Sequence, residues 1–187
     1  MGALSSQFGH SLSLAIITAV VVLMTMALVA RRVAGEGRPV HPDVFRVAAL
    51  GWAVVIVVAT ALPQVWPPRL SADGDLVLEV GRGGLGEWRA ILDDPLSWTS
   101  FLLVANVAVY VPFGFLGVLG WPARAAQVVL AGTVISLLVE ISHFTLTERV
   151  ASTDDVILNA TGVVLGAALA VAAVRVRAGT TGGPARS

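Results

Sequence analysis

Trp98–Leu119 reads WTSFLLVANVAVYVPFGFLGVL, without one charged side chain. A helix needs about 20 mainly apolar residues to cross ~30 Å of hydrocarbon, and this stretch has them. Pro112 would break a helix in water, but a membrane helix tolerates proline when its neighbours satisfy the freed carbonyl. Outward from it, Leu12–Ala30, Val44–Leu62, Ala125–His143 and Val156–Val174 have the same character. No stretch alternates as a lipid-facing β-strand does. The pattern predicts an all-α fold, a polytopic membrane helical bundle of about five transmembrane helices. Composition agrees: 56% of residues are hydrophobic and 13% charged, with a mean hydropathy of +0.85, whereas soluble domains carry about 25% charge. Residues 1–177 read as a single transmembrane domain without internal repeats. The Gly/Thr/Pro/Arg-rich stretch 178–187 reads as a disordered tail.

Charge and cysteine content exclude whole classes of chemistry. The formal net charge is +0, so no bulk field attracts nucleic acid. Cysteine is absent, which removes disulfides, thiolate metal sites and a cysteine nucleophile. All 12 basic residues are arginine, so Schiff-base chemistry and a lysine-dependent phosphate loop are out. The flank before Leu12 has no positive charge, unlike a cleaved signal peptide. With the N-terminus outside, Arg31, Arg32, Arg38, Arg46, Arg124, Arg175, Arg177 and Arg186 fall inside, and Arg69, Arg82, Arg89 and Arg149 outside. The positive-inside rule therefore favours a multi-pass plasma-membrane protein with its C-terminus cytoplasmic. The loop Pro63–Ser97 is then external. It holds an apolar run, Leu76–Val80, then Gly81, Gly83, Gly84 and Gly86, the pair Asp93–Asp94, and Trp66 and Trp88 for the interfacial belt. It reads as a loop lying on the membrane surface, with one short strand or helix.

Ionisable and polar residues inside a membrane are expensive and mark function by default. Glu140 lies about one turn before the end of the fourth span, and His143 follows on the same helical face. The next connection carries Arg149, Asp154 and Asp155. Asn159 lies one turn into the fifth span and Asn106 about two turns into the third. At 1.5 Å per residue, all lie within about 15 Å of one membrane face. The expectation is one coupled site of Glu140, Arg149, Asp155 and Asn159, with Asn106 facing the bundle close to Glu140 or Asn159. Arg149 or a protonated His143 is the cation that keeps Glu140 charged, and a histidine there makes the site responsive to mildly acidic pH.

Each feature also has a plainer reading. Glu140 and Arg149 can form a structural clamp, although a buried pair stabilises little after desolvation. Glu-x-x-His occurs in bundle metal sites, but those need a second copy and further carboxylates, so no metal is expected. One aspartate can cap the fifth span, which leaves the other unexplained. Asn159 can be a simple interhelical hydrogen bond. Gly162, Gly166 and Ala170 form a small-residue stripe for close packing, within the bundle or between protomers of a homo-oligomer.

The ordered pattern Asn106…Pro112-Phe-Gly114, Glu140-x-x-His143, Arg149…Asp154-Asp155-x-x-x-Asn159-x-x-Gly162-x-x-x-Gly166 resembles the VanZ-like membrane family, over about residues 96–170. His143 stands where that family usually has Gln, and Ser152 where it usually has Asp. The resemblance implies a bacterial cell-envelope role. The namesake is linked to low-level resistance to the glycopeptide teicoplanin, and no reaction comes with the likeness. Three readings follow. The first is a non-enzymatic protein that binds an amphiphile at the outer leaflet: a membrane lipid, a lipid-linked cell-wall precursor or a lipophilic glycopeptide. There Arg149 would hold a phosphate or carboxylate, and Glu140, Asp155 and Asn159 would hold hydroxyl, amide or amine groups. The second is a membrane enzyme that modifies an envelope lipid with a carboxylate acid/base pair, though no nucleophile is evident. The third, a transporter, is disfavoured by the lack of inverted repeats and of polar residues continuing to the other leaflet. No cofactor is expected.

Overall fold

The computed structural model describes residues 40–60, 76–82, 86, 88–94, 97–146 and 151–181. The expected first span, Leu12–Ala30, and Arg149 in the last connection lie outside the described residues. Within them the chain is mainly helical: α1 (Pro42–Thr60), β1 (Leu76–Val77), α2 (Arg89–Asp93), α3 (Trp98–Gly120), α4 (Ala125–Leu146), β2 (Ala151–Ser152) and α5 (Thr153–Thr181).

Local chemistry sets these boundaries. Pro42 opens α1, a position where its missing N–H costs nothing. Ser97 caps α3, its hydroxyl accepting from Ser100 N–H at 3.2 Å. At the far end of α3 the Trp121 N–H returns to the Gly117 carbonyl at 2.8 Å. A 3-10 turn, Pro122–Arg124, then leads into α4.

Among the described residues three helical stretches are long and apolar enough to cross a membrane: Thr99–Gly120, Pro122–Thr145 and Thr153–Val176. They match the expected third, fourth and fifth spans. α1, where the sequence places the second span, is helical but is not one of the three. Its first turns carry Asp43 and Arg46. The last two residues of the expected span, 61 and 62, lie outside the described residues.

α3 is the centre of the bundle, with α5 and α1 packed against it. Helices in lipid gain nothing from burying apolar surface against one another, so close backbone approach matters more. A Cβ on Gly114 would collide with the Val163 carbonyl, one on Gly162 with that of Val107, and one on Gly166 with that of Val111. The Gly162/Gly166 face, which the sequence offers either to the bundle or to a second protomer, is taken by α3 of the same chain. α1 buries Phe45, Ala49, Trp52 and Ile56 at spacings of three and four residues, and leaves Val44, Val47, Leu50 and Val54 exposed. The Trp52 indole N–H donates to the Val109 carbonyl at 2.8 Å, one residue from the Ala108 carbonyl that Pro112 deprives of its helical donor.

The two strands form a small parallel sheet in which Leu76 pairs with Ala151 and Val77 with Ser152. The apolar run of the long loop thus supplies a short strand. That strand lies beside Ala151–Ser152, immediately before α5.

Candidate functional site

At the end of α4, Glu140 is buried, 6% exposed. Its Oε2 accepts from the Ser152 backbone N–H at 3.2 Å. Its Oε1 lies 3.5 Å from His143 Nδ1, one turn along the helix. The other ring nitrogen, His143 Nε2, is 3.1 Å from the Thr60 carbonyl at the end of α1. A carbonyl only accepts, so Nε2 carries the hydrogen there. Nδ1 then faces a carboxylate oxygen. Glu140 and His143 thereby tie α1, α4 and the start of α5 together.

The first turn of α5 divides its labour among three residues. Ser152 takes the cap position, its hydroxyl accepting from the Asp154 N–H at 3.2 Å. Asp154 is fully buried, and its Oδ1 accepts from the Gly81 N–H at 2.9 Å. Gly81 has φ of 87°, a left-handed conformation that glycine adopts without strain. Asp155 Oδ1 accepts from Asn106 Nδ2 of α3 at 2.9 Å. One aspartate thus holds the loop and the other holds a neighbouring helix. Both carboxylates sit where the helix dipole and free N–H groups favour negative charge. Serine at position 152 caps as an aspartate would, with one negative charge fewer beside Glu140.

Deeper by a turn, Asn159 Nδ2 donates to Ser136 Oγ at 2.9 Å. The Tyr110 hydroxyl and Asn159 Oδ1 are, among the described residues, buried side-chain polar atoms without a hydrogen-bond partner. Tyr110 has Ser136 and the Glu140 carboxylate as polar neighbours, but the hydroxyl is not in hydrogen-bonding geometry with either.

The structure brings Asn106, Glu140, His143, Asp154, Asp155 and Asn159 to one end of the bundle. They form three adjoining hydrogen-bonded groups. Asn106 faces the bundle as the sequence suggests, but its partner is Asp155 rather than Glu140 or Asn159. Of the two partners the sequence offers Glu140, His143 lies beside it; Arg149 lies outside the described residues. Among the described residues no group of three or more His, Asp or Glu side chains is arranged to hold a metal ion. Sequence reasoning missed Ser136, the Ser152 cap, Gly81 and the Thr60 carbonyl. Ser136 was findable, since positions 136, 140 and 143 share one helical face. Chemically the end is rich in acceptors and sets a histidine beside a carboxylate, which suits hydroxyl, amide and amine donors or general acid–base work.

The VanZ/LLP1 family profile matches residues 15–175. The chain belongs to this family, and its apolar helices are those of a membrane protein. No curated protein and no solved structure matches the chain.

Proposed function

We propose that this VanZ/LLP1-family chain is a five-span plasma-membrane protein of the bacterial cell envelope, N-terminus outside and C-terminus cytoplasmic. In this reading it binds an amphiphile at the outer leaflet. The ligand class is a membrane lipid, a lipid-linked cell-wall precursor or a lipophilic glycopeptide, and binding changes susceptibility to glycopeptides such as teicoplanin. The observation that carries the reading is the gathering of Glu140, His143, Asp154, Asp155 and Asn106 at the ends of three packed helices. Buried carboxylates in a bilayer cost more than they stabilise, so anchoring alone is a poor reason for so many. Acceptors at the headgroup level suit hydroxyl, amide and amine groups, and Arg149 supplies the anion-binding element.

A second reading is favoured by one feature, the approach of the buried His143 Nδ1 to Glu140 Oε1 at 3.5 Å. In a membrane enzyme acting on an envelope lipid, that pair would serve as acid and base.

Mass spectrometry of lipid extracts separates the two. A species that co-purifies with the intact protein and is lost from Glu140→Gln supports binding. An altered headgroup in the cell's lipids, dependent on Glu140, supports the enzyme. Identical extracts and unchanged teicoplanin susceptibility in the variant would remove both.

A further inference from the structure

The segment that covers the polar end carries an apolar surface of its own. Leu76, Leu78 and Val80 are 50%, 69% and 61% exposed, and Trp88 just before α2 and Leu92 on it are 53% and 70% exposed. Val77, between Leu76 and Leu78, is half-buried. The outward face of this run therefore presents large aliphatic groups, not the polar side chains of a water-facing loop.

Its height is fixed by two contacts. β1 pairs with Ala151–Ser152, immediately before the membrane-crossing stretch that begins at Thr153. The Gly81 N–H is held by the fully buried Asp154. The segment is thus pinned at the edge of the hydrocarbon. On the spans beside it the lipid-facing belt reaches the same end, through Ile141 on α4 and Ile157 on α5, 48% and 37% exposed. The apolar side chains of the loop continue that belt. Its charges are exposed: Glu79 and Arg82 pair at 2.8 Å on a turn, Asp93 ends α2, and the Arg89 guanidinium lies over the Trp88 ring at 5.5 Å. An indole backed by a cation suits the membrane–water boundary.

We propose that residues 76–82 with α2 form an interfacial cap, its Leu76, Leu78 and Val80 side chains immersed in the lipid leaflet at the Thr153 end. The partner of this surface is lipid, and the cap is joined to the carboxylate cluster through Asp154 and Ser152. This is independent of what ligand the cluster takes.

The native chain has no cysteine, so single spin labels report depth cleanly. Leu78→Cys, Arg82→Cys and, as a hydrocarbon reference, Leu130→Cys of α4 would be labelled in the full chain. The labelled proteins would be placed in nanodiscs of phosphatidylcholine and phosphatidylglycerol. Collision with oxygen, which enters lipid, is compared with collision with a water-soluble nickel chelate. The expected result is an oxygen-to-nickel ratio at Leu78 close to that at Leu130 and several-fold above that at Arg82. A ratio at Leu78 equal to that at Arg82 would put the cap in water and overturn the proposal. Shielding of Leu78 from both reagents would also overturn it, since another protein surface, such as a second copy, would then cover the face.

Discussion

The two ends of the bundle use polar residues in opposite ways. At the Gly120 end Arg46 does most of the work. Its Nε donates to the Gly120 carbonyl at 2.9 Å, its Nη1 pairs with Asp43 at 2.6 Å, and its guanidinium lies over Trp121 at 5.7 Å. A cation on the last carbonyls of α3 answers the helix dipole, and the pair is half in water. At the Thr153 end Glu140, His143 and Asp154 are all buried, and each holds backbone or a neighbour from another element. The first end is explained by anchoring. The second buries titratable side chains where exposed ones would suffice, and that difference is what supports the proposed ligand site.

The largest effect is expected from Glu140→Ala. It removes the acceptor for Ser152 N–H and the partner of His143 together, and breaking a buried pair costs about 3–5 kcal/mol. The thermal unfolding midpoint in detergent should fall sharply, while Glu140→Gln, which keeps an acceptor oxygen, should fall much less. Equal stability of the Ala variant and the native protein would mean that the carboxylate holds nothing together.

Packing between the two ends gives the next effect. Gly166→Ala would drive its methyl into the Val111 carbonyl, whereas Gly51 on α1 has nothing within 4 Å of such a methyl. Overpacking of this kind costs about 1–3 kcal/mol, and Gly51→Ala should be neutral or mildly stabilising. Unfolding midpoints of the two variants should therefore move in different directions or at least by clearly different amounts. If Gly166→Ala is harmless, the α3–α5 contact is looser than the glycines imply.

The third, fourth and fifth spans were legible because length, hydropathy and caps are local properties. Trp98–Leu119 became Trp98–Gly120, and Ala125–His143 became Ala125–Leu146. The start of the fifth span moved from Val156 to Thr153, because Ser152 supplies a cap that lets both aspartates enter the first turn. The side chains of the polar end were legible as a set, since depth along a helix follows from residue count. Their pairing was not. Thr60 and Ser152 contribute backbone groups, which no residue type announces, and Gly81 reaches Asp154 from a loop 73 residues away. The unresolved choice between bundle and protomer for Gly162 and Gly166 was also beyond the sequence, because a small-residue stripe does not name its partner.

Arg46→Ala tests the anchoring end. Its pair with Asp43 has side chains 42% and 59% exposed, and exposed pairs contribute about 0–1 kcal/mol. The unfolding midpoint should drop slightly, and the lipid-extract pattern should match that of the native protein. A loss as large as that of Glu140→Ala would erase the contrast between the ends.

The smallest effect is expected at Tyr110, and it sharpens the boundary of the polar end. The ring is 1% exposed in the core and the hydroxyl has no hydrogen-bond partner. Tyr110→Phe keeps the packing and deletes only that oxygen. A buried hydroxyl without a partner costs free energy, so its removal should be neutral or stabilising by up to about 1 kcal/mol. Ser136→Ala is the control, because it takes the acceptor from Asn159 Nδ2 and should destabilise. A higher or unchanged unfolding midpoint for Tyr110→Phe would end the polar end at Ser136 and Asn159. A drop of more than about 1 kcal/mol would mean that the hydroxyl is bonded in the working protein. The polar end would then extend one layer further toward the middle of the bilayer.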